Sequence, residues 1–180
     1  MPKQKRQKLP ETGEPDIEVI DLDGNPLLVM PLSQVLRQKL RHRVVLVCLR
    51  NAKGLIYLFK RPSSASGPPG EAWFPAAYGR VWAGESRYAA GTRILERVFG
   101  ISGVEIYETA SFSESAISPA GNVEATLFLT AKTSALPRLE ELEGTDGIFV
   151  DREEFRAIIR DYPHMVTPLW NLALPYFFPA

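Results

Sequence analysis

The sequence predicts an α/β fold in which helices pack on the faces of a mixed β-sheet. Three observations predict it. The almost unbroken β-rich run VVLVCLR at 44–50 is typical of a buried strand. Residues 86–99 carry apolar side chains at helical spacing. Further strand-like segments come next, and amphipathic helix-like segments follow them. We therefore expect strands and helices within a single domain.

The N-terminal part predicts a tail, a hairpin and a short helix. Residues 1–15 are polar and contain two prolines, which is typical of a flexible leader, so the folded domain is expected to span 16–180. Two short apolar runs then flank Asp23-Gly24-Asn25, which predicts a β-hairpin. Ser33 is the expected cap of a helix over 34–40.

The middle of the chain predicts a second strand pair, a loop and the principal helix. After the strand at 44–50, a turn at 51–54 returns the chain, and we expect 55–61 to be the hairpin partner. Residues 62–73 are rich in Pro, Ser and Gly and predict a loop. The helix over 86–99 is expected to end at Gly100, with one apolar side formed by Tyr88, Leu95, Val98 and Phe99.

The C-terminal third predicts three strands and two helices. The strand candidates lie at 104–113, 123–131 and 148–151. Residues 152–162 have the spacing of an amphipathic helix, and 167–177 predict a last helix with Thr167 as its cap and Pro168 in its first turn.

Composition limits the function classes. A chain of 180 residues suggests one domain, or one domain and a tail. The 21 acidic and 21 basic residues balance, so there is no general electrostatic case for nucleic acid or a membrane as partner. The single Cys48 excludes an intrachain disulfide framework, and two histidines argue against a histidine-rich metal site. Without an apolar run near the roughly 20 residues of a membrane span, we expect a cytoplasmic protein.

Residues 79–101 read GRVWAGESRYAAGTRILERVFGI. This stretch resembles the Nudix box, GX5EX7REUXEEXGU, where U is a bulky aliphatic residue. The residues in register are Gly79, Glu85, Arg93, Leu95, Gly100 and Ile101. The upstream strand pair and the segment 69–73 also resemble this MutT-like superfamily, and the opening at 18–43 resembles its branch near isopentenyl-diphosphate isomerase.

The resemblance covers roughly residues 16–177 and implies a Nudix-type α/β/α sandwich with a mixed β-sheet. It also implies hydrolysis of a nucleoside diphosphate linked to another group. Isomerase activity does not fit, because that resemblance calls for a catalytic cysteine in the strand before the box. The segment there is Phe74 to Tyr78, and Cys48 lies in an earlier strand.

The box departs from the family pattern at its metal ligands. In the family, three helix glutamates at i, i+3 and i+4 share one face and hold Mg²⁺. The matching positions here are Ile94, Arg97 and Val98, so no cofactor is expected, or Mg²⁺ only if the family activity survives. Glu96 stands at the free position and, at about 100° per residue, points away from the other three.

The candidate catalytic residues are Glu85, Arg93 and Glu96. The resemblance implies that Glu85 and Arg93 orient metal ligands, and a structural ion pair is the favoured alternative. Ile94 and Val98 are interpreted as an extension of the core, with an apolar pocket wall as the alternative. Two further residues are secondary candidates. Arg97 is either a surface charge or a phosphate ligand, and the bulky side chain of Tyr78 is expected to fill part of the site.

The candidate substrate-binding residues are Arg61, Trp73, Arg80 and Glu124. Either arginine can neutralise a phosphate, and Trp73 can stack on a base or belong to the core. Glu124 opens a strand, where some family members carry a general base or an extra ligand, although a solvent-facing charge is the commoner case. His42 and His164 have no acid or nucleophile beside them in the sequence, so they receive no catalytic role.

Three functions remain open. The first is a Nudix-type protein, weak or inactive as a hydrolase, that binds a nucleotide or a diphosphate metabolite. The second is an active but diverged hydrolase in which Glu85, Glu96 and Glu124 form a rearranged site with Mg²⁺. The third is a protein-interaction module. A homo-oligomer is compatible with each of them.

Overall fold

A computed structural model describes residues 13–60, 73–113, 123–130, 137, 147–166 and 174–178. Its main sheet has six strands: five lie in the order β2-β1-β3-β8-β7, and the sixth, β6, also pairs with β3. β3 runs parallel to β8, whereas the other pairs are antiparallel, so the predicted mixed sheet is confirmed. The strands are β1 (Asp16–Ile20), β2 (Pro26–Pro31), β3 (His42–Cys48), β6 (Ala77–Arg80), β7 (Ile106–Ser113) and β8 (Val123–Thr130).

A second sheet contains three strands in the order β5-β4-β9, namely β4 (Ile56–Lys60), β5 (Trp73–Phe74) and β9 (Gly147–Val150). The prediction that 55–61 is the hairpin partner of 44–50 was therefore wrong beyond the turn. Tyr57 N still donates to Leu49 O at 2.9 Å next to that turn. Farther on, β6 and β8 occupy the two sides of β3, so β4 joins the other sheet.

Successive side chains of β3 enter two different cores. Val44, Leu46 and Cys48 belong to a core that also contains Phe155 and Phe177. Val45 and Val47, with Leu49 just after the strand, belong to a core that the principal helix covers. The helices are α1 (Leu32–Arg37), α2 (Arg87–Phe99) and α3 (Arg152–Asp161). With α2 on one core and α3 on the other, the predicted α/β architecture with helices on its faces is confirmed.

α2 begins and ends where the sequence predicts within one residue. Ser86 is its cap, with Oγ accepting a hydrogen bond from Ala89 N at 3.1 Å. Gly100 ends it with φ of 64°, in the left-handed region that glycine adopts without strain. Tyr88 differs from the expectation, because its side chain is half exposed and contacts the edge of the core through the ring of Phe128, 4.9 Å away.

α1 begins earlier than predicted, and Ser33 is not its cap. The helix starts at Leu32, so Ser33 already lies inside the first turn. Its backbone N and its Oγ both donate to the carboxylate of Glu14, at 3.1 Å and 3.0 Å. A side chain from 19 residues upstream therefore caps this helix, which a local pattern does not reveal.

α3 is capped by Asp151 and Glu154, which exchange hydrogen bonds as a capping box. Residues 174–177 are helical, as expected for the last helix, and Phe177 packs edge to face on Phe155 at 5.5 Å. Thr167, Pro168 and the loop at 62–72 lie outside the described residues. Among the described helices, none has the length and apolarity that a bilayer crossing needs.

Candidate functional site

Glu85 and Arg93 form a paired arrangement where the loop after β6 enters α2. Arg93 Nε donates to Glu85 Oε1 at 2.8 Å, and Nη2 donates to Oε2 at 2.7 Å. Glu85 Oε2 also accepts from the backbone N of Trp82 at 3.0 Å. Both carboxylate oxygens of Glu85 are thus occupied by protein donors, in the two-pronged geometry that is among the strongest of charged hydrogen bonds.

Arg93 makes two more contacts that fix its side chain. Its Nη2 donates to the backbone O of Arg80 at 2.9 Å, which links α2 to β6. Its guanidinium carbon lies 3.8 Å from the ring centroid of Trp82. The pair therefore ties a helix, a strand and a loop together, as the structural interpretation of these residues expects.

The inward face of α2 is apolar and buried. Ile94 is 1% exposed and Val98 is 3% exposed, and both pack in the core with Leu95 and Phe99. A Cβ built on Gly79 would lie 1.9 Å from Ile94 Cδ1, so β6 and α2 are in direct contact there. The interpretation of Ile94 and Val98 as core residues is confirmed.

A divalent ion does not fit this face. Mg²⁺ needs hard oxygen ligands, and Ile94 and Val98 supply none. Glu96 and Arg97 point to the exposed side of the helix, and Arg97 is a cation. Across the described part of the chain, no group of three or more His, Cys, Asp or Glu side chains is placed to hold a metal ion. We therefore derive no metal-dependent step at α2.

Glu124, at the start of β8, belongs to a charged network at the beginning of α2. Its carboxylate is bonded to the guanidinium of Arg87, and its Oε2 lies 3.8 Å from Arg43 Nε. Arg43 Nη1 in turn donates to Glu18 Oε2 at 3.0 Å, and Glu18 Oε1 accepts from Gly84 N at 3.1 Å. The network contains two acids and two arginines, so its formal charges balance. It connects β1, β3, β8 and α2.

Arg80 lies on the opposite face of the main sheet from Glu124. In the ladder between β3 and β6, Arg80 is paired with Val44 and Tyr78 with Leu46. Paired residues share a face, so Arg80 and Tyr78 point into the core that α3 covers. Glu124 is paired with Arg43 and faces the α2 side. The structure thus separates these two candidate substrate-binding residues.

Tyr78 and His42 accompany Arg80 on its face. The Arg80 guanidinium carbon lies 5.6 Å from the centroid of the Tyr78 ring. His42 is fully buried, and its position in β3 has the same parity as Val44 and Leu46. Tyr78 Oη, Arg80 Nε and His42 Nε2 are buried and have no hydrogen-bond partner among the described residues. We call these three residues the β3–β6 polar cluster.

The protonation of His42 follows from its surroundings. Nδ1 lies 2.8 Å from the backbone O of Leu40, which can only accept, so Nδ1 carries the hydrogen. Burial lowers the pKa of His42 below its usual 6.5, and the positive charge of Arg80 lowers that pKa further, against the carbonyl contact, which raises it. The neutral ring therefore presents a lone pair at Nε2, a hydrogen-bond acceptor in a buried place.

Trp73 is partly buried against the same core as Tyr78, and Lys60 Nζ lies 5.1 Å from the centroid of its ring. Arg61 lies outside the described residues. The structure therefore brings Glu85 and Arg93 together, leaves Glu96 on the exposed face of α2, and places Arg80 near Tyr78. Sequence reasoning gave no role to His42. Its parity with Val44, Leu46 and Cys48 was the signal that it faces a core.

Comparison with solved structures identifies the architecture. The DR0079 protein from Deinococcus radiodurans superposes with a TM-score of 0.73 at 19% identity, covering 91% of this chain and 99% of that one. A MutT Nudix hydrolase from Burkholderia pseudomallei gives 0.58 at 19% identity, with 76% and 97% covered. A Nudix hydrolase from Nitrosomonas europaea gives 0.57 at 15% identity, with 75% and 86% covered.

The chain has the Nudix fold. The sequence resemblance at 79–101 agrees with this, since the Nudix box coincides with β6, the following loop and α2. At these identities the likeness establishes the Nudix architecture alone, and the placement near isopentenyl-diphosphate isomerase stays a prediction. No protein-family model matches the sequence, and no curated protein matches it.

Proposed function

We propose that this protein binds a nucleotide or another diphosphate-containing metabolite, and that it is a weak or inactive diphosphate hydrolase. The observation that carries the proposal is the burial of Ile94 and Val98 in the core, with Ile94 against Gly79. Where the Nudix pattern provides carboxylates, this helix provides aliphatic side chains. A metal ion has no oxygen ligands on that face and no room beside it.

Glu85 and Arg93 fit a structural role in this proposal. Their charges are matched with each other, and Trp82 and Arg80 supply further contacts. A carboxylate that already accepts three hydrogen bonds is a poor candidate for binding a metal ion or activating water. We propose that the pair maintains the junction of β6 and α2, whose shape the fold needs even without metal chemistry.

The β3–β6 polar cluster supports the binding part of the proposal. The guanidinium of Arg80 suits a phosphate oxygen, and the hydroxyl of Tyr78 can donate beside it. The lone pair at His42 Nε2 suits a donor such as a sugar hydroxyl. Buried polar atoms without partners cost free energy, so a ligand or water that supplies the missing hydrogen bonds is favoured at this place.

The alternative of an active diverged hydrolase needs Glu85, Glu96 and Glu124 in one site. Glu85 is bonded to Arg93, Glu124 to Arg87, and Glu96 is exposed on the far side of α2. The pairing of two of these acids with arginines and the exposure of the third favour binding over hydrolysis. Substrate identity, a role for Arg61 or Trp73 and a cytoplasmic location remain predictions within the same proposal.

Isothermal titration calorimetry in EDTA, with ADP and with inorganic pyrophosphate, tests the binding. We expect the wild-type protein to bind at least one of them and Arg80→Gln to weaken that binding at least tenfold, which is about 1.4 kcal/mol. The backbone O of Arg80, which Arg93 contacts, is retained in this variant. Arg97→Gln, which removes an exposed arginine from α2, is the matched control. Absence of binding by the wild type, or an equal loss in both variants, would refute the proposal.

A further inference from the structure

His42 and Arg80, two members of the β3–β6 polar cluster, are diagonal neighbours on paired strands. Arg80 is paired with Val44, and His42 lies two residues before Val44 on the same face of β3. Diagonal neighbours in an antiparallel pair lie about 7–8 Å apart, within reach of long side chains. The charge of Arg80 contributes, after burial, to the lowered pKa of His42. A group as small as a phosphate can therefore contact both side chains.

The neighbours of His42 on the adjoining strands are apolar. Val19 of β1 and Val123 of β8 are its partners in the two strand registers. Val19 in turn packs with Val35 of α1 in a small core. These side chains carry no charge and form no hydrogen bonds, so none of them satisfies the acceptor at His42 Nε2.

The titratable side chains that face His42 from the described elements are Arg80 and Tyr78, both on β6. Arg43, the next residue of β3, alternates to the other face and forms its ion pairs there. Arg41, just before the strand, is engaged in a contact of its own. A ligand beside His42 therefore meets one fixed positive charge, one hydroxyl and one neutral acceptor.

The neutral acceptor decides which form of a phosphate fits. A phosphate oxygen and the lone pair of His42 Nε2 are both acceptors, so they repel each other unless a hydrogen lies between them. The dianionic terminal phosphate of a nucleotide has no such hydrogen, whereas the form with one more proton has a P–OH group. That proton also balances the charge, because Arg80 alone neutralises only one of the two negative charges, and a buried unpaired charge is costly.

We propose that the β3–β6 polar cluster binds the terminal phosphate of a nucleotide together with one proton from the solvent, held between His42 Nε2 and a phosphate oxygen. The inference rests on the proposed function and specifies the group that is bound and its charge state. Arg80 and the hydroxyl of Tyr78 donate to the other oxygens of the same phosphate. A phosphate esterified on both sides cannot bring this proton near neutral pH and binds less well. Binding of a terminal phosphate strengthens as the pH falls from 8 towards 6.5.

Calorimetric titration of the full chain with ADP in EDTA, in two buffers of different ionisation enthalpy, counts the protons taken up on binding. A free terminal phosphate is mostly dianionic above its pKa of about 6. At pH 7.5 we therefore expect an uptake of about one proton, and about tenfold stronger binding at pH 7 than at pH 8. The β-methyl ester of ADP is the matched ligand. We expect it to bind without proton uptake and about tenfold more weakly than ADP at pH 6.5, since it leaves the buried acceptor unpaired.

His42→Asn is the matching protein variant. Its amide keeps a donor for Leu40 O, but the shorter side chain ends before the position of Nε2. We expect this variant to bind ADP with little proton uptake and a nearly flat pH dependence. His164→Asn, which changes an exposed histidine, is the control and keeps the uptake of the wild type. Circular dichroism confirms that each variant is folded, and the proton count on the wild type needs no variant.

The outcomes separate this inference from the proposed function. ADP binding that depends on Arg80 but takes up no proton overturns the inference and leaves the proposed function standing. An equal proton uptake with the methyl ester, or in His42→Asn, overturns it as well. If neither ADP nor pyrophosphate binds between pH 6 and pH 8, the proposed function is refuted and the inference falls with it.

Discussion

Gly79 on β6 and Ile94 on α2 pack together so closely that a Cβ on Gly79 would lie 1.9 Å from Ile94 Cδ1 and 2.5 Å from Cγ1. Ile94 is 1% exposed, so its side chain has core neighbours on its other sides. The strand and the helix of the box therefore contact each other through an aliphatic side chain at the point where the Nudix pattern has a carboxylate.

Gly79→Ala is expected to destabilise the protein by about 1–3 kcal/mol, because the added methyl group overpacks a filled core. Ile94→Val removes Cδ1, the atom nearest to that methyl group, and costs about 1 kcal/mol by itself. The double variant should be more stable than the sum of the two losses predicts. Urea denaturation of the four proteins measures this coupling, and simple additivity would contradict the contact.

Ile94→Glu is expected to lower the free energy of unfolding by 3 kcal/mol or more, since a carboxylate without a partner would be buried in an apolar core. Glu96→Gln, on the exposed side of α2, should change that free energy by less than about 0.5 kcal/mol. Thermal and chemical unfolding in EDTA compare them. Equal stability of Ile94→Glu and the wild type would mean that Ile94 lines an open pocket rather than the core.

Glu85→Gln is expected to cost about 2 kcal/mol of stability, because it leaves the partly buried guanidinium of Arg93 without its anion. The exposed pair of Arg156 and Glu153 provides a comparison, with a distance of 3.2 Å between Nη1 and Oε1. Arg156→Gln should change stability by less than about 0.5 kcal/mol. If the two variants lose equally little in urea denaturation, the structural role of Glu85 is wrong.

The lowered pKa of His42 makes stability depend on pH. The unfolded chain binds a proton near pH 6.5 while the folded chain does so only at lower pH, so stability falls as the pH drops below about 6.5. His42→Asn keeps a donor for Leu40 O but cannot titrate, and it should flatten this fall. Denaturation midpoints at several pH values measure it, with the exposed His164→Asn as control. An unchanged pH dependence in His42→Asn would contradict the assignment.

Local signals predicted α2 well. The apolar spacing and Gly100 lie within the helix or next to it, and the helix ends at Gly100 as expected. Ser86, which the spacing included in the helix, is its cap instead, and Tyr88 is half exposed. The box register also predicted that Glu85 and Arg93 come together, because a loop–helix junction has little freedom. The core role of Ile94 and Val98 followed from their position on the stripe of Leu95 and Phe99.

Contacts between distant segments could not be predicted in the same way. β4 leaves β3 because β8 and β6, which come later in the chain, occupy both sides of β3. Arg80 and Glu124 were both candidate substrate-binding residues, and only the registers of their strands reveal that they face opposite sides of the sheet. Glu14 caps α1 from outside the helix, and no local pattern at Ser33 indicates this.

The most direct test of the central claim is a turnover assay. Purified wild-type protein and Glu85→Gln would be incubated with a panel of nucleoside diphosphate derivatives in Mg²⁺, in Mn²⁺ and in EDTA, and released phosphate or nucleotide would be measured. The buried aliphatic face of α2 predicts that added metal raises the wild-type rate no higher than the rate of Glu85→Gln. Metal-dependent hydrolysis by the wild type, clearly above that variant and abolished by EDTA, would contradict the account.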